Sequence, residues 1–156
     1  MDIISKQQRS ELMSKIRGKD TSPERYIRSL LHRRGYRFGL HSKTIQGRPD
    51  LVLVKYGVLV FVNGCFWHGH DACPLYRPPK TSKKFWHEKI KRNQQRDLRI
   101  NRKLLSEGWR VLHIWECAFR SNTKIPEEKL VSAMELFIHG TGKSKSIRGK
   151  RLSPLS

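Results

Sequence analysis

Two groups of residues in this sequence are of types, and at spacings, that suit chemistry. The first is the run Cys65-Phe66-Trp67-His68-Gly69-His70-Asp71-Ala72-Cys73, which packs two thiols and two imidazoles into one short loop. The remaining cysteine, Cys117, lies just past an apolar run that ends at Trp115. A structural zinc site wants four thiolate or imidazole ligands in a closed tetrahedron. Cys65, His70, Cys73 and Cys117 supply such a set. Four residues separate Cys65 from His70 and two separate His70 from Cys73, a spacing that lets one loop wrap one ion. His68 is the rival ligand. It lies between two aromatics and the better-spaced His70, which leaves it available for other chemistry. The plain alternative is three inert buried thiols, but a loop rich in Gly and Pro has little apolar content of its own to order it.

The second group is Gly47-Arg48-Pro49-Asp50 followed by Leu51-Val52-Leu53-Val54. An acid fixed by a Pro turn at the head of a strand can bind a hard divalent cation such as Mg2+. Glu24 is placed to complete the cation's coordination through water. Hydrolysis of a phosphodiester needs such cations to activate water and to neutralise charge in the transition state. On its own, Pro-Asp before a strand is also what a simple turn looks like.

These residues need elements to position them. Thr21-Ser22-Pro23-Glu24 is a helix start, with a hydroxyl cap, a first-turn Pro and an acid at the positive end of the dipole. Tyr26, Ile27, Leu30 and Leu31 follow at helical spacing, and Gly35 ends the helix. Tyr36 to Leu40 is a candidate strand. Leu51 to Val54 and Val58 to Val62 are β-branched runs, joined by Lys55-Tyr56-Gly57 closely enough for a hairpin. Gly64 to Pro79 is a loop. Ser82 opens a long basic helix that reaches about Glu107, with Gly108 as its stop. Trp109 to Trp115 is a strand, and Pro126 to Ile138 an amphipathic helix. The order predicts an α/β layer fold with a mixed central sheet flanked by helices. Residues 1–18 are an arm too polar for the core, 19–139 the main domain, and 140–156 a basic tail expected to be disordered.

Charge narrows the partners. Thirty-three Lys and Arg against 13 acids give the 156-residue chain a net charge of +20. A field of that size attracts polyanions, nucleic acid first among them. No apolar run approaches the roughly 18 residues of a membrane span. Met1 to Lys6 lacks the apolar stretch of a secretory signal, so a cytoplasmic setting without disulfides is expected.

Taken together the motifs are specific. Glu24, Gly47-Arg48-Pro49-Asp50, Phe61-Val62-Asn63-Gly64-Cys65-Phe66-Trp67-His68, Phe85-Trp86 and Trp115-Glu116-Cys117-Ala118 occur in the order, and at about the separations, of the very-short-patch mismatch repair endonucleases. The chain resembles that family from about Arg9 to Ile138. The resemblance implies a restriction-endonuclease-like fold, a structural zinc ion and a Mg2+-dependent site in a bacterial, nucleoid-associated enzyme acting as a monomer. Such enzymes nick the thymine strand of a T:G mismatch on the 5′ side of the thymine. The mismatch arises when 5-methylcytosine deaminates, and mismatch repair proteins are further candidate partners.

By the same resemblance, Asp50 binds the catalytic metal, joined by the Val62 carbonyl, and Glu24 supports its water shell. His68 acts at the reacting phosphate as general acid or base, work that suits a group titrating near neutrality. Cys65, His70, Cys73 and Cys117 hold zinc. Phe66, Trp67 and Trp86 wedge into the duplex beside the mismatch. Unstacking costs least at a mismatch, and flat rings recover part of that cost by stacking on the exposed bases. Met13 belongs to an arm across the minor groove. Arg48, Lys89, Lys91, Arg92, Arg96 and Arg102 are candidate phosphate contacts.

The chain also departs from the family. Many members carry Thr-His where this one has Val62-Asn63. Asn63 can orient a water but cannot shuttle a proton. The loop after His68 is one residue longer than in some relatives. The usual nuclease lysine on the second strand is absent, since Val60, Phe61 and Val62 fill that stretch, so His68 is the best group left to activate water. The competing reading is a non-catalytic, zinc-containing protein that binds distorted DNA. Only Asp50, Glu24 and His68 separate the two.

Overall fold

The computed structural model describes residues 21–150 of the chain. The expected arm and Met13 lie outside them. The first helix, α1, spans Ser22–Arg33. Thr21 caps it, its hydroxyl accepting from the Glu24 N–H at 3.5 Å, and its apolar stripe buries Ile27, Leu30 and Leu31. Strands β1 (Gly39–Leu40), β2 (Leu51–Leu53) and β3 (Val58–Asn63) follow, then the long helix α2 (Lys83–Ser106), β4 (Arg110–Trp115), α3 (Glu127–His139) and β5 (Ser144–Ile147).

The five strands lie side by side in chain order. β2 pairs antiparallel with both β1 and β3, and Leu51 faces Val60 across the expected hairpin. β3, β4 and β5 run parallel, with Val58 opposite Arg110 and Ile114 opposite Ile147. Alternation sorts the side chains. Leu51, Leu53, Val58, Val60, Leu112, Ile114 and Ile147 pack with α1 and α3, while Val52, Leu59 and Val111 pack with Leu104 and Ile100 of α2. The result is a three-layer α/β/α arrangement around a mixed sheet. Two successive parallel steps in the same direction, with α2 on one face and α3 on the other, give the two crossovers opposite hands. One of them is therefore an exception to the right-handed rule.

Two expectations need correcting. The tail is not unstructured throughout, because Ser144–Ile147 forms the parallel edge strand beside β4. Its outward residues are Ser and Lys, so only the backbone ladder and buried Ile147 record the strand. The stretch from Tyr36 pairs only at Gly39–Leu40, because the Tyr36 ring turns into the core and its hydroxyl donates to Glu135 at 2.9 Å. Ser82 stands where α2 opens: it is the cap residue, at φ 54°, and its carbonyl accepts from the Trp86 N–H at 3.1 Å.

Candidate active site and metal centre

The loop after β3 folds back on itself. His70 N–H donates to Cys65 O at 2.9 Å, and His68 N–H to Gly64 O at 3.2 Å. This brings Cys65, His70 and Cys73 together with Cys117, which enters from the turn after β4. All four are buried, and their ligand atoms lie within 4.8 Å of one another. The His70 atom in the group is Nδ1, 3.6 Å from Cys117 Sγ. Its ring stacks on Trp115, 3.8 Å between centroids and 4° from parallel. Three soft thiols and one imidazole at this spacing fit a tetrahedral zinc ion. The thiols act on one another: the hydrogen bond with Cys117, and burial, push Cys65 up. The Cys65 hydrogen bond, the Gly149 N–H and Arg148 outweigh burial and hold Cys117 down at about 6, towards thiolate. Burial keeps His70 neutral, down at about 4. Geometry thus selects His70 over His68 for the cluster.

The tail seals this centre. Arg148 donates to the carbonyls of Asp71 and Ala72, both at 3.1 Å, and Gly149 N–H donates to Cys117 Sγ at 3.3 Å. A Cβ at position 149 would stand 2.1 Å from Cys117 O, so no other residue fits there. Sequence reasoning missed both residues. The Arg-Gly pair in a basic tail carries no signal without the strand that delivers it.

Asp50 sits at the head of β2, where its Oδ2 accepts from the Val62 N–H at 2.7 Å. The bond ties it to the C-terminal end of β3. Glu24 reaches the same place from α1, and His41 from the loop after β1. Ligand atoms of Glu24, His41 and Asp50 lie within 4.8 Å of one another, and His41 Nε2 stands 3.7 Å from Glu24 Oε2. Burial pushes Asp50 up to about 7, against the pull of the Val62 N–H and with help from the Glu24 charge. Two carboxylates and an imidazole gathered in low dielectric, with the Arg28 charge acting on Asp50, are a donor set that a divalent cation suits. His41 carries no motif and was not among the expected residues.

His68 lies beyond the same end of β3. Its Nδ1 meets Asp97 Oδ2 of α2 at 2.6 Å. A carboxylate only accepts, so Nδ1 carries the proton and Nε2 is left to act on a substrate. The loop is pinned to α2 by Asn93 on Trp67 O at 3.0 Å and Gln94 on Gly69 O at 2.8 Å. Asp97 had one faint sequence signal: it is the single acid between Lys89 and Ser106 of a basic helix.

His68 and Asp97 line a cavity of about 400 Å³ with Arg48, Asn63, Arg96 and His113. Gly47 lets the Arg48 turn approach α2, since a Cβ there would meet Ile100 at 2.5 Å. Arg48 itself takes φ 48°, a region that L residues rarely adopt and that functional sites tolerate. His113, on β4, bonds Asn63 at 3.0 Å and Asn101 at 3.0 Å, and stacks on Phe61. Burial pushes it from 6.5 down to about 4. The unfolded chain therefore takes up a proton that the folded one refuses. This site's contribution is intact above about 6.5 and is lost as pH falls towards about 4. Denaturant titrations of wild type and His113→Phe, near neutrality and at about pH 5, should show the stability gap shifting by about 2 kcal/mol in the variant's favour at the lower pH.

Phe66, Trp67 and Trp86 converge. Ring centroids are 5.2 Å apart for Phe66 and Trp67, 5.4 Å for Phe66 and Trp86, and 5.9 Å for Trp67 and Trp86. All three are half-buried, and Lys89 Nζ lies 5.6 Å from the centroids of both indoles. Lys91, Arg92, Arg96 and Arg102 are exposed on α2. No helix among the described residues is long and apolar enough to cross a membrane.

Known proteins share this chain's sequence along most of its length. The profile of the family described as DNA mismatch endonuclease Vsr matches residues 1–74. The chain is 41% identical to the DNA mismatch endonuclease Vsr of Escherichia coli K12 over 94% of its own length and 93% of that protein's. It is 46% identical to the type II nicking enzyme V.XorIIP of Xanthomonas oryzae over 74% of its length and 85% of the relative's. It is 40% identical to the type II nicking enzyme V.NmeAIP of Neisseria meningitidis over 83% and 91%. A buried carboxylate pair and a histidine–aspartate pair lining a cavity, on a strongly basic protein with relatives of these names, define the class: a DNA nuclease. Within that class the chain belongs to the DNA mismatch endonuclease Vsr family.

Proposed function

We propose that this protein nicks the thymine-containing strand of a T:G mismatch, 5′ of the thymine, in a Mg2+-dependent hydrolysis. The observation that carries the reading is that both groups are anchored near one end of β3. The Asp50 carboxylate is tied to Val62, and the His68–Asp97 pair lines a cavity with the adjacent Asn63. Asp50, Glu24 and the Val62 carbonyl would hold the cation, with His41 within reach. When bound, the cation supplies the positive charge that phosphodiester hydrolysis requires. His68 Nε2 exchanges a proton with the reacting water or the leaving oxygen, while Asp97 fixes its ring and tautomer. Arg48 and Arg96 meet phosphates at the cavity, and Lys89 and Arg92 along the helix.

The fold is restriction-endonuclease-like in this reading, supported by the mixed sheet between helices on both faces. The nuclease domain placed at residues 19–139 extends through β5 and Gly149, which complete its sheet and its cysteine centre; residues 1–18 are the DNA-binding arm, and zinc at Cys65, His70, Cys73 and Cys117 is structural. The protein works as a monomer on chromosomal DNA.

The test is a nicking assay with Mg2+ on matched duplexes that differ only in a T:G or T:A pair. One nick in the thymine strand of the T:G duplex is expected. Tight binding without nicking, or equal cutting of both duplexes, would overturn the proposal. The aromatic cluster serves discrimination. Trp67→Ala should reduce the T:G over T:A binding preference by about 1–3 kcal/mol, the scale of one base-stacking contact, in a competition titration. An unchanged preference would assign those rings to packing alone.

A further inference from the structure

In the wall of the cavity lies a polar chain to which the proposed chemistry gives no step. Asn101 projects from α2, His113 from β4 and Asn63 from the end of β3. The contacts run Asn101 Oδ1 to His113 Nε2 at 3.0 Å, and His113 Nδ1 to Asn63 Nδ2 at 3.0 Å. Their polarity is fixed. A carbonyl oxygen only accepts, so His113 Nε2 carries a proton and donates it to Asn101. The ring is neutral, held so by burial. Its Nδ1 lone pair then accepts from the Asn63 amide. Phe61 lies against the ring at 5.2 Å and 19°. The imidazole is thus gripped on its face and at both nitrogens.

This leaves one atom of Asn63 without work. Its Nδ2 is committed to His113, and Oδ1 has no partner among the described residues. Every enclosed side-chain nitrogen or oxygen among those residues has a hydrogen-bond partner, Arg148 Nε excepted. Asn63 Oδ1 is therefore not enclosed. Asn63 is a buried residue that lines the cavity together with His68 and Asp97, so its open atom gives onto that space.

We infer that His113, held by Asn101, is a positioning residue for the nicking reaction: it locks the Asn63 amide with Oδ1 facing the cavity, where Oδ1 accepts a hydrogen bond from a water and orients it towards the phosphate. The inference rests on the nuclease reading above. Freed from His113, the amide turns over as easily as it stays. A flipped amide would present two donors where one acceptor is needed. The outcome is a correctly bound substrate with a misdirected water, which slows the chemical step and leaves binding alone.

Single-turnover nicking of a T:G duplex by His113→Phe, Asn63→Ala and the double variant tests this. Phe keeps the ring on Phe61 and removes both hydrogen bonds. The rate constant of His113→Phe should fall roughly ten- to a hundredfold, with the Kd for the duplex unchanged. The double variant should be no slower than Asn63→Ala. Independent losses that multiply, or an unaltered rate in His113→Phe, would overturn the inference. Imidazole 15N NMR of the wild-type protein reads the same device without any turnover. It should show protonated Nε2 and bare Nδ1 near neutrality, and the opposite tautomer would refute the lock. A wild type that shows the expected tautomer and never nicks would instead count against the nuclease reading.

Discussion

Asp50→Asn should stop nicking without unfolding the protein: a rate lowered on the order of a thousandfold, with affinity for the mismatched duplex within a few-fold of wild type. The substitution keeps an oxygen in place to accept from Val62 N–H, so the link between β2 and β3 survives. What is lost is the charge that would hold a cation beside Glu24. Burial and the Glu24 charge already raise Asp50 to about 7, so ionisation there costs folding energy when no cation is bound. The cost is absent well below 3.8, grows as pH rises and is complete above about 7. The Asn variant escapes it. Without divalent cation at about pH 8 it should therefore melt at or above the wild-type temperature. Gel assays of nicking and binding, with thermal melts of the zinc-loaded proteins in buffer free of added divalent cation, check all three quantities. A variant that nicks at the wild-type rate would remove Asp50 from the chemistry, and one that fails to fold would make it a structural acid.

Stripping zinc should have the larger structural effect. Binding at a buried thiolate and imidazole site is worth on the order of 10 kcal/mol. That matches the whole stability of a typical domain, about 5–15 kcal/mol. Among the described residues, the partly buried apolar neighbours packed on Cys65, Cys73 and Cys117 are Leu75, Tyr76 and Trp115. That is a small apolar core to stand in for the ion. Cys117→Ser, or prolonged exposure to a strong chelator, should abolish the cooperative melt of the native protein. Metal analysis should find about one zinc per chain before treatment. A melt that keeps its midpoint after the zinc is gone would show that the thiols are packing residues only. His68 provides an internal control, because it lies outside the cluster. His68→Gln should lose nicking and keep zinc.

What the sequence discloses follows the range of the interaction. The Thr21 cap, the hairpin around Tyr56 and the ligand loop from Cys65 to Cys73 are set by residues a few positions apart, and all appear where local chemistry puts them. The grouping of Cys65, His70, Cys73 and Cys117 was legible even with Cys117 far away, because so few residue types can serve as soft metal ligands. Asp97, His113 and His41 were not legible. An acid on a basic helix, a histidine within an apolar strand and a histidine in a loop acquire meaning only from partners on other elements. Strand β5 was hidden for a related reason. Three of its four residues are exposed, so it lacks the apolar alternation that marks a half-buried strand, and its place depends on an unpaired edge of β4. The Asn63–His113 contact joins residues on neighbouring strands, yet only the register, with Asn63 beside Trp115 and Phe61 beside His113, makes it possible.

The cysteine centre also has a topological consequence. Cys73 and Cys117 lie on either side of a stretch that contains all of α2, a helix studded with lysines and arginines. An ion bridging them turns that stretch into a closed ring. A trypsin-like protease cutting at one exposed basic residue of α2 would leave two pieces still fastened through the metal, and they would part only when it was withdrawn.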